Sequence, residues 1–275
     1  MPRTLVVTDS TAYLPDGWAT RLGVTVVPVQ VIINGRSFDE TDSSQARDVV
    51  DALVAMEPVT TSRPSPQRFT DVFESAAAAG FDHVVVVTLS AALSGTWESA
   101  SLAAQTAPVP VTVVDSQQIA MGMGWKVLAG ARCRDAGGSP EEIASAIAGK
   151  RVHTYFSVHT LEYLRRGGRV GNISARVGAA LQVKPILTLI DGRVEALEKV
   201  RTDARAIQRL EELALEVATG AETRIAVQHI GAPERAGALA EALRSHLPQA
   251  EVVECPVGGV IGAHTGPGMV AVVIH

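Results

Sequence analysis

The run His83–Thr88, HVVVVT, limits the fold more than any other stretch, because its four consecutive valines show no polar alternation. A strand with one solvated face alternates apolar and polar residues, so an uninterrupted apolar strand needs cover on both faces. Helices on either side of a mainly parallel sheet supply that cover. The flanking sequence fits. Strand-like runs at 4–8, 24–29, 30–33 and 111–114 alternate with helical patterns at 43–56, 65–79, 95–105 and about 117–135. The segment GGSPEE (137–142) then punctuates the chain and opens another helix, with Ser139 as N-cap and Pro140 at the first helical position.

A second series follows. Residues 152–156 read as a strand, 161–165 as a short helix ending at Gly167-Gly168, and 172–182 as a helix. Runs 185–190 and 194–199 form a hairpin around Asp191-Gly192, which brings antiparallel pairing into this half. Helices at 204–218 and 234–246 alternate with strands at 225–230, 251–255 and 269–274. The expected fold is α/β in two domains: 1–150 with a mainly parallel sheet, and 151–275 with a mixed sheet.

Composition narrows the function by exclusion. Of 275 residues, 47% are hydrophobic and 19% charged, the balance of a globular chain. A net charge of −5 without a basic stripe argues against nucleic acid as a partner. No apolar run reaches the roughly 18 residues of a transmembrane segment, and the N-terminus has no signal-peptide core. Cys133 and Cys255 lack metal-ligand spacing, so two reduced thiols in a cytoplasmic protein are expected.

Candidate chemistry concentrates in TTSRPSP (60–66), LSAALSGTWESA (89–100) and GGVIGAHTGPG (258–268). The last is expected to be a turn at the open end of a sheet, holding His264 among five glycines with no obvious packing role. Ser94 opens a helix, either as its N-cap or as a hydroxyl at an anion-binding helix start. Thr61 and Ser62 lead into Pro64, which stiffens a loop; the plain reading is a loop with Ser65 as cap. Asp9 and Asp115 end strands ahead of serines and read as caps, metal ligands or acids. A hydrolase would use Ser94 as nucleophile and His264 as base, but G-x-S-x-G is absent. So are GK[ST], H-E-x-x-H, C-x-x-C and a G-x-G-x-x-G after the first strand. What remains is hydroxyls, backbone N–H groups and one imidazole, donors suited to a carboxylate.

TDST (8–11), TSRPS (61–65), LSGTWESA (93–100), VVDS (113–116), YLRRGGRVG (163–171), KVRT (199–202) and GAHTGPG (262–268) occur in that order. With them the chain resembles the DegV family over nearly its whole length. The resemblance implies a protein that binds a long-chain fatty acid between two α/β domains, without cofactor, metal or catalytic residues of its own. Its role would be similar to that of the acyl-carrying subunit of bacterial fatty acid kinase, in phospholipid metabolism. A separate ATP-dependent kinase subunit would phosphorylate the bound carboxylate. The family's carboxylate contacts fall on Thr61, Ser94 and His264, with Ser62, Gly95 and Thr265 as further pocket residues and Arg201 as the kinase-docking residue. Arg63 replaces the family's usual Gln and is expected to point outward, since a buried Arg needs partners. The alternative from another class is a serine/histidine hydrolase or phosphoryl-transfer enzyme.

Overall fold

The computed structural model describes residues 3–41, 46–170, 183–218 and 223–275. They form two compact units, Met1–Gln30 with Ser62–Arg151, and Val31–Thr61 with Val152–His275. In chain order the elements begin β1 (Thr4–Asp9), α1 (Trp18–Arg21), β2 (Val24–Val27), β3 (Gln30–Ile33), β4 (Arg36–Asp39), α2 (Ala46–Val54) and β5 (Val59–Ser62). Then come α3 (Pro66–Ala78), β6 (His83–Thr88), α4 (Thr96–Ala104), β7 (Val111–Asp115), α5 (Met121–Asp135) and α6 (Pro140–Gly149). The rest is β8 (His153–Ser157), α7 (Glu162–Arg166), β9 (Lys184–Ile190), β10 (Arg193–Val200), α8 (Asp203–Val217), β11 (Arg224–His229), α9 (Pro233–His246), β12 (Glu251–Pro256), α10 (Gly259–Thr265) and β13 (Val270–Ile274).

In the first unit β2-β1-β6-β7 form an all-parallel sheet. Its valine strand is covered on both faces. Val84 and Val86 pack with Phe69 and Phe73 of α3, and Val85 and Val87 with Met123, Val127, Ile143 and Ile147 of α5 and α6. Helix α6 opens on a reciprocal cap: Ser139 Oγ accepts from Glu142 N–H, and the Glu142 carboxylate accepts from Ser139 N–H. Helix α5 starts at Met121, later than the expected 117, because Asp115 and Ser116 accept from the N–H groups of Gln117 and Gln118 in a turn.

The strand-end aspartates are turn formers. The fully buried Asp9 accepts from Thr11 N–H (3.0 Å) and Leu89 N–H (2.8 Å), tying the end of β1 to the segment after β6. Burial pushes its pKa up to about 6, against the pull of those hydrogen bonds. Asp115 also accepts from Ala91 N–H. Among the described residues no group of three His, Cys, Asp or Glu side chains is placed to hold a metal.

The second unit carries a mixed sheet, β10-β9-β8-β13-β11-β12, in which only β11 and β12 pair in parallel. Leu210 and Leu213 of α8 and Leu239 and Leu243 of α9 pack on Ile186, Ile225, Val227 and Val272 of the sheet. The β9–β10 hairpin turns at Asp191 (φ 48°) and Gly192 (φ 74°), the double positive φ of a type I′ turn.

A three-stranded sheet, β4-β3-β5, and α2 complete this unit. Residues 31–61 therefore depart from the expected contiguous first domain. They are tied to α10: the buried Glu40 carboxylate accepts from Val260 N–H at 2.9 Å, and α2 lies against α10 through Val49. Strands β4 and β5 are four residues each and little buried, so they lack a clear period-2 signal; the loop expected at 60–66 begins as strand. The helix expected at 172–182 lies outside the described residues. Both cysteines are free, and no described helix is long and apolar enough to cross a membrane.

Candidate functional site

The glycine-rich run corrects the expected turn: it folds as helix α10, with His264 in its last turn. Glycine costs about 1 kcal/mol per position relative to alanine within a helix, so tertiary packing must impose this one. A Cβ on Gly259 would lie 2.7 Å from Val49 Cγ2, and one on Gly262 would overlap the Ile230 side chain. Gly266 (φ 72°) lies against the Tyr163 ring. The glycines let α10 approach its neighbours closely, which is a packing role the sequence did not reveal.

That packing presents His264 to β5. Its Nε2 is 2.8 Å from Thr61 Oγ1, although 203 residues separate the two. Its Nδ1 is buried and has no hydrogen-bond partner among the described residues. The ring fits because Gly167, which caps the C-terminus of α7, has no side chain; a Cβ there would fall 2.9 Å from Cε1 and closer still to Nδ1. Burial pushes the His264 pKa down to about 4, and the nearby Arg169 guanidinium pushes the same way. The imidazole is therefore neutral at pH 7, with one donor and one acceptor nitrogen. Its partner is a hydroxyl, not the carboxylate that orients a catalytic imidazole. Gly167, Tyr163 and Arg169 were not singled out as site residues; the YLRRGGRVG motif carries them.

Thr61 and His264 both belong to the second unit, whereas Ser62, Ser94 and Gly95 belong to the first. The N-cap of α4 is Gly95, not Ser94, and Ser94 Oγ shares a 2.9 Å hydrogen bond with Thr96 Oγ1. Arg63 is exposed, in line with its expected outward direction, and its Nη1 donates to Gly95 O at 3.2 Å. A Cβ on Gly95 would overlap that guanidinium. Ser62 Oγ donates weakly to Arg63 O (3.4 Å), and the buried Thr265 hydroxyl donates back to Ile261 O (3.0 Å) within α10. Arg201 is exposed between β10 and Thr202, which caps α8 by accepting from Arg205 N–H. A cavity of about 730 Å³ beside the small sheet, lined in part by Val31, Phe38, Asp48 and Asp51, includes none of these residues.

The family model described as "Uncharacterised protein, DegV family" matches residues 3–275. The chain belongs to the DegV family. A DegV domain-containing protein of Streptomyces coelicolor is 49% identical over 272 residues, covering 98% of this chain and 97% of the relative. Another, from Listeria innocua, is 36% identical over 96% of this chain and 95% of its own length. Among solved DegV structures, one from Thermus thermophilus, described as showing fatty acid binding, superposes with a TM-score of 0.91 at 36% identity over 99% of both chains. The Bacillus subtilis DegV, described as a fatty acid binding protein, gives a TM-score of 0.91 at 31% identity over 100% of this chain and 99% of that one. The parallel sheet of the first unit and the mixed sheet of the second agree with this DegV fold.

Proposed function

We propose that this DegV protein is a non-catalytic carrier of a long-chain fatty acid that presents the carboxylate to an ATP-dependent kinase subunit for acyl phosphate formation. The observation that carries the reading is the neutral, half-buried His264 hydrogen-bonded to Thr61. In the Nε2–H tautomer His264 donates to Thr61 Oγ1, and the threonine hydroxyl is free to donate its own hydrogen to a carboxylate oxygen. On the DegV resemblance we also assign Ser94, Ser62, Gly95 and Thr265 to fatty-acid binding. The description of the Thermus and Bacillus relatives as fatty acid binding supports the ligand class.

Burying a sixteen-carbon tail at about 0.8 kcal/mol per CH₂ contributes on the order of 12 kcal/mol gross. Each head-group hydrogen bond adds only about 1–3 kcal/mol, so the polar residues orient the ligand more than they retain it. An imidazole with a pKa of about 4 and no carboxylate partner is a poor general base, which disfavours the hydrolase alternative. The test is mass spectrometry of an organic extract of the purified protein, together with assays against acyl esters and acyl phosphates. A co-purified fatty acid without turnover is expected. Hydrolysis that disappears in both Ser94→Ala and His264→Ala would replace this reading with the enzyme.

A further inference from the structure

Four ionisable side chains of the second unit meet outside the residues assigned so far. His159 follows β8, Lys184 begins β9, Asp203 begins α8, and Arg235 lies in the first turn of α9. Lys184 Nζ is 2.9 Å from His159 Nδ1 and 3.4 Å from Asp203 Oδ1. His159 Nδ1 and Arg235 Nη1 approach that same oxygen at 3.3 and 3.7 Å. Arg235 Nη2 donates to Gly268 O at 2.6 Å and lies 3.3 Å from His159 Nε2. Gly268 (φ 86°) lets the His159 ring rest on the chain, since a Cβ there would overlap the ring. Side-chain exposures of 23% for Lys184, 32% for Arg235 and 41% for His159 leave the group within reach of a small solute.

Among the described residues the group has too few acceptors. Lysine and arginine only donate, yet one of them faces each ring nitrogen of His159, and a neutral imidazole has a single acceptor. In either tautomer one contact sets donor against donor. The three basic groups also share one oxygen of one carboxylate, so even with His159 neutral the cluster carries one excess positive charge. The N-terminal end of α8 adds its partial positive charge. Donors that converge from three separate elements suit a tetrahedral oxyanion better than a planar carboxylate, which a single guanidinium already satisfies.

We propose that His159, Lys184 and Arg235 bind an oxyanion of the phosphate class, which supplies the acceptors that Asp203 alone does not. The proposal goes beyond the fatty-acid reading and does not rest on it. It is tested by calorimetric titration of the full chain with inorganic phosphate, sulfate and acetate in a non-coordinating buffer at pH 7. Saturable one-to-one phosphate binding is expected, with competition by sulfate and none by acetate. Lys184→Gln and Arg235→Gln should each weaken it about tenfold or more, the loss of one charge-assisted hydrogen bond. Asp203→Asn, which removes the competing carboxylate, should tighten it. Absence of saturable phosphate binding, an unchanged affinity in folded Lys184→Gln, weaker binding in Asp203→Asn, or acetate binding as well as phosphate overturns the proposal. Extracted lipid measured on the same preparations separates the two readings: Lys184→Gln should retain the fatty acid content of the parent, and His264→Ala should retain phosphate binding.

Discussion

Replacing Gly167 by alanine isolates the seating of His264 from general stability. Gly167 has φ −73° and ψ −8°, which alanine adopts without strain, and the change removes freedom from the unfolded chain worth about 0.4–1 kcal/mol. Against this, the new Cβ would stand 2.9 Å from His264 Cε1 and nearer to Nδ1, well inside the 3.4 Å of ordinary contact. The half-buried ring must retreat by about 1 Å, a displacement that overpacked cores accommodate at about 1–3 kcal/mol. The 2.8 Å bond from Nε2 to Thr61 Oγ1 does not survive that movement. Net stability should therefore fall by between about 0 and 2.6 kcal/mol. If the His264–Thr61 pair orients a carboxylate, affinity should fall by the worth of one hydrogen bond to a charged group, about 1.5–3 kcal/mol or ten- to a hundredfold. The assay is displacement of a fluorescent fatty acid from delipidated protein, with thermal unfolding in parallel. Gly168→Ala is the control: Gly168 has φ 70° and open space around its Cα, so it should lose stability through strain while keeping the ligand. Parental affinity in folded Gly167→Ala refutes the role assigned to His264.

The His264 pKa of about 4 lies below the ordinary 6.5, so folding favours the neutral ring. That stability is fully present above pH 6.5 and is lost as the pH falls through 4, by about 3 kcal/mol in all. An NMR titration should place the imidazole near 4, and urea unfolding of His264→Gln should lose the corresponding part of the acid sensitivity; titration near 6.5 contradicts the burial argument. Gly262→Ala should cost about 1–3 kcal/mol by driving a Cβ into Ile230, and Ile230→Val, which deletes the overlapped methyl, should restore part of it in the double variant by thermal unfolding. On the proposed carrier reading, Arg201→Ala should leave fatty acid content unchanged while slowing acyl phosphate formation by a kinase subunit. Loss of lipid in that variant would assign the exposed Arg201 to the pocket instead.

The sequence by itself determined whatever a short segment decides. HVVVVT required a doubly covered strand, Asp191-Gly192 required a tight hairpin, and Ser139-Pro140 with Glu142 closed a cap within four residues. The seven motifs likewise carried the DegV resemblance that the family match bears out. Tertiary structure decided what depends on partners distant in the chain. Residues 31–61 leave the first unit because Glu40 and α2 find α10 some 200 residues later, and no local pattern encodes that docking. The run GGVIGAHT reads as a turn because glycine disfavours helix locally, yet it becomes helical where Val49, Ile230 and Tyr163 leave no room for side chains. The state of His264 belongs to the same class. Its depressed pKa, its bond to Thr61 and its unpartnered Nδ1 arise from burial against Gly167 and β5, and burial is a property of the packed chain rather than of any segment of it.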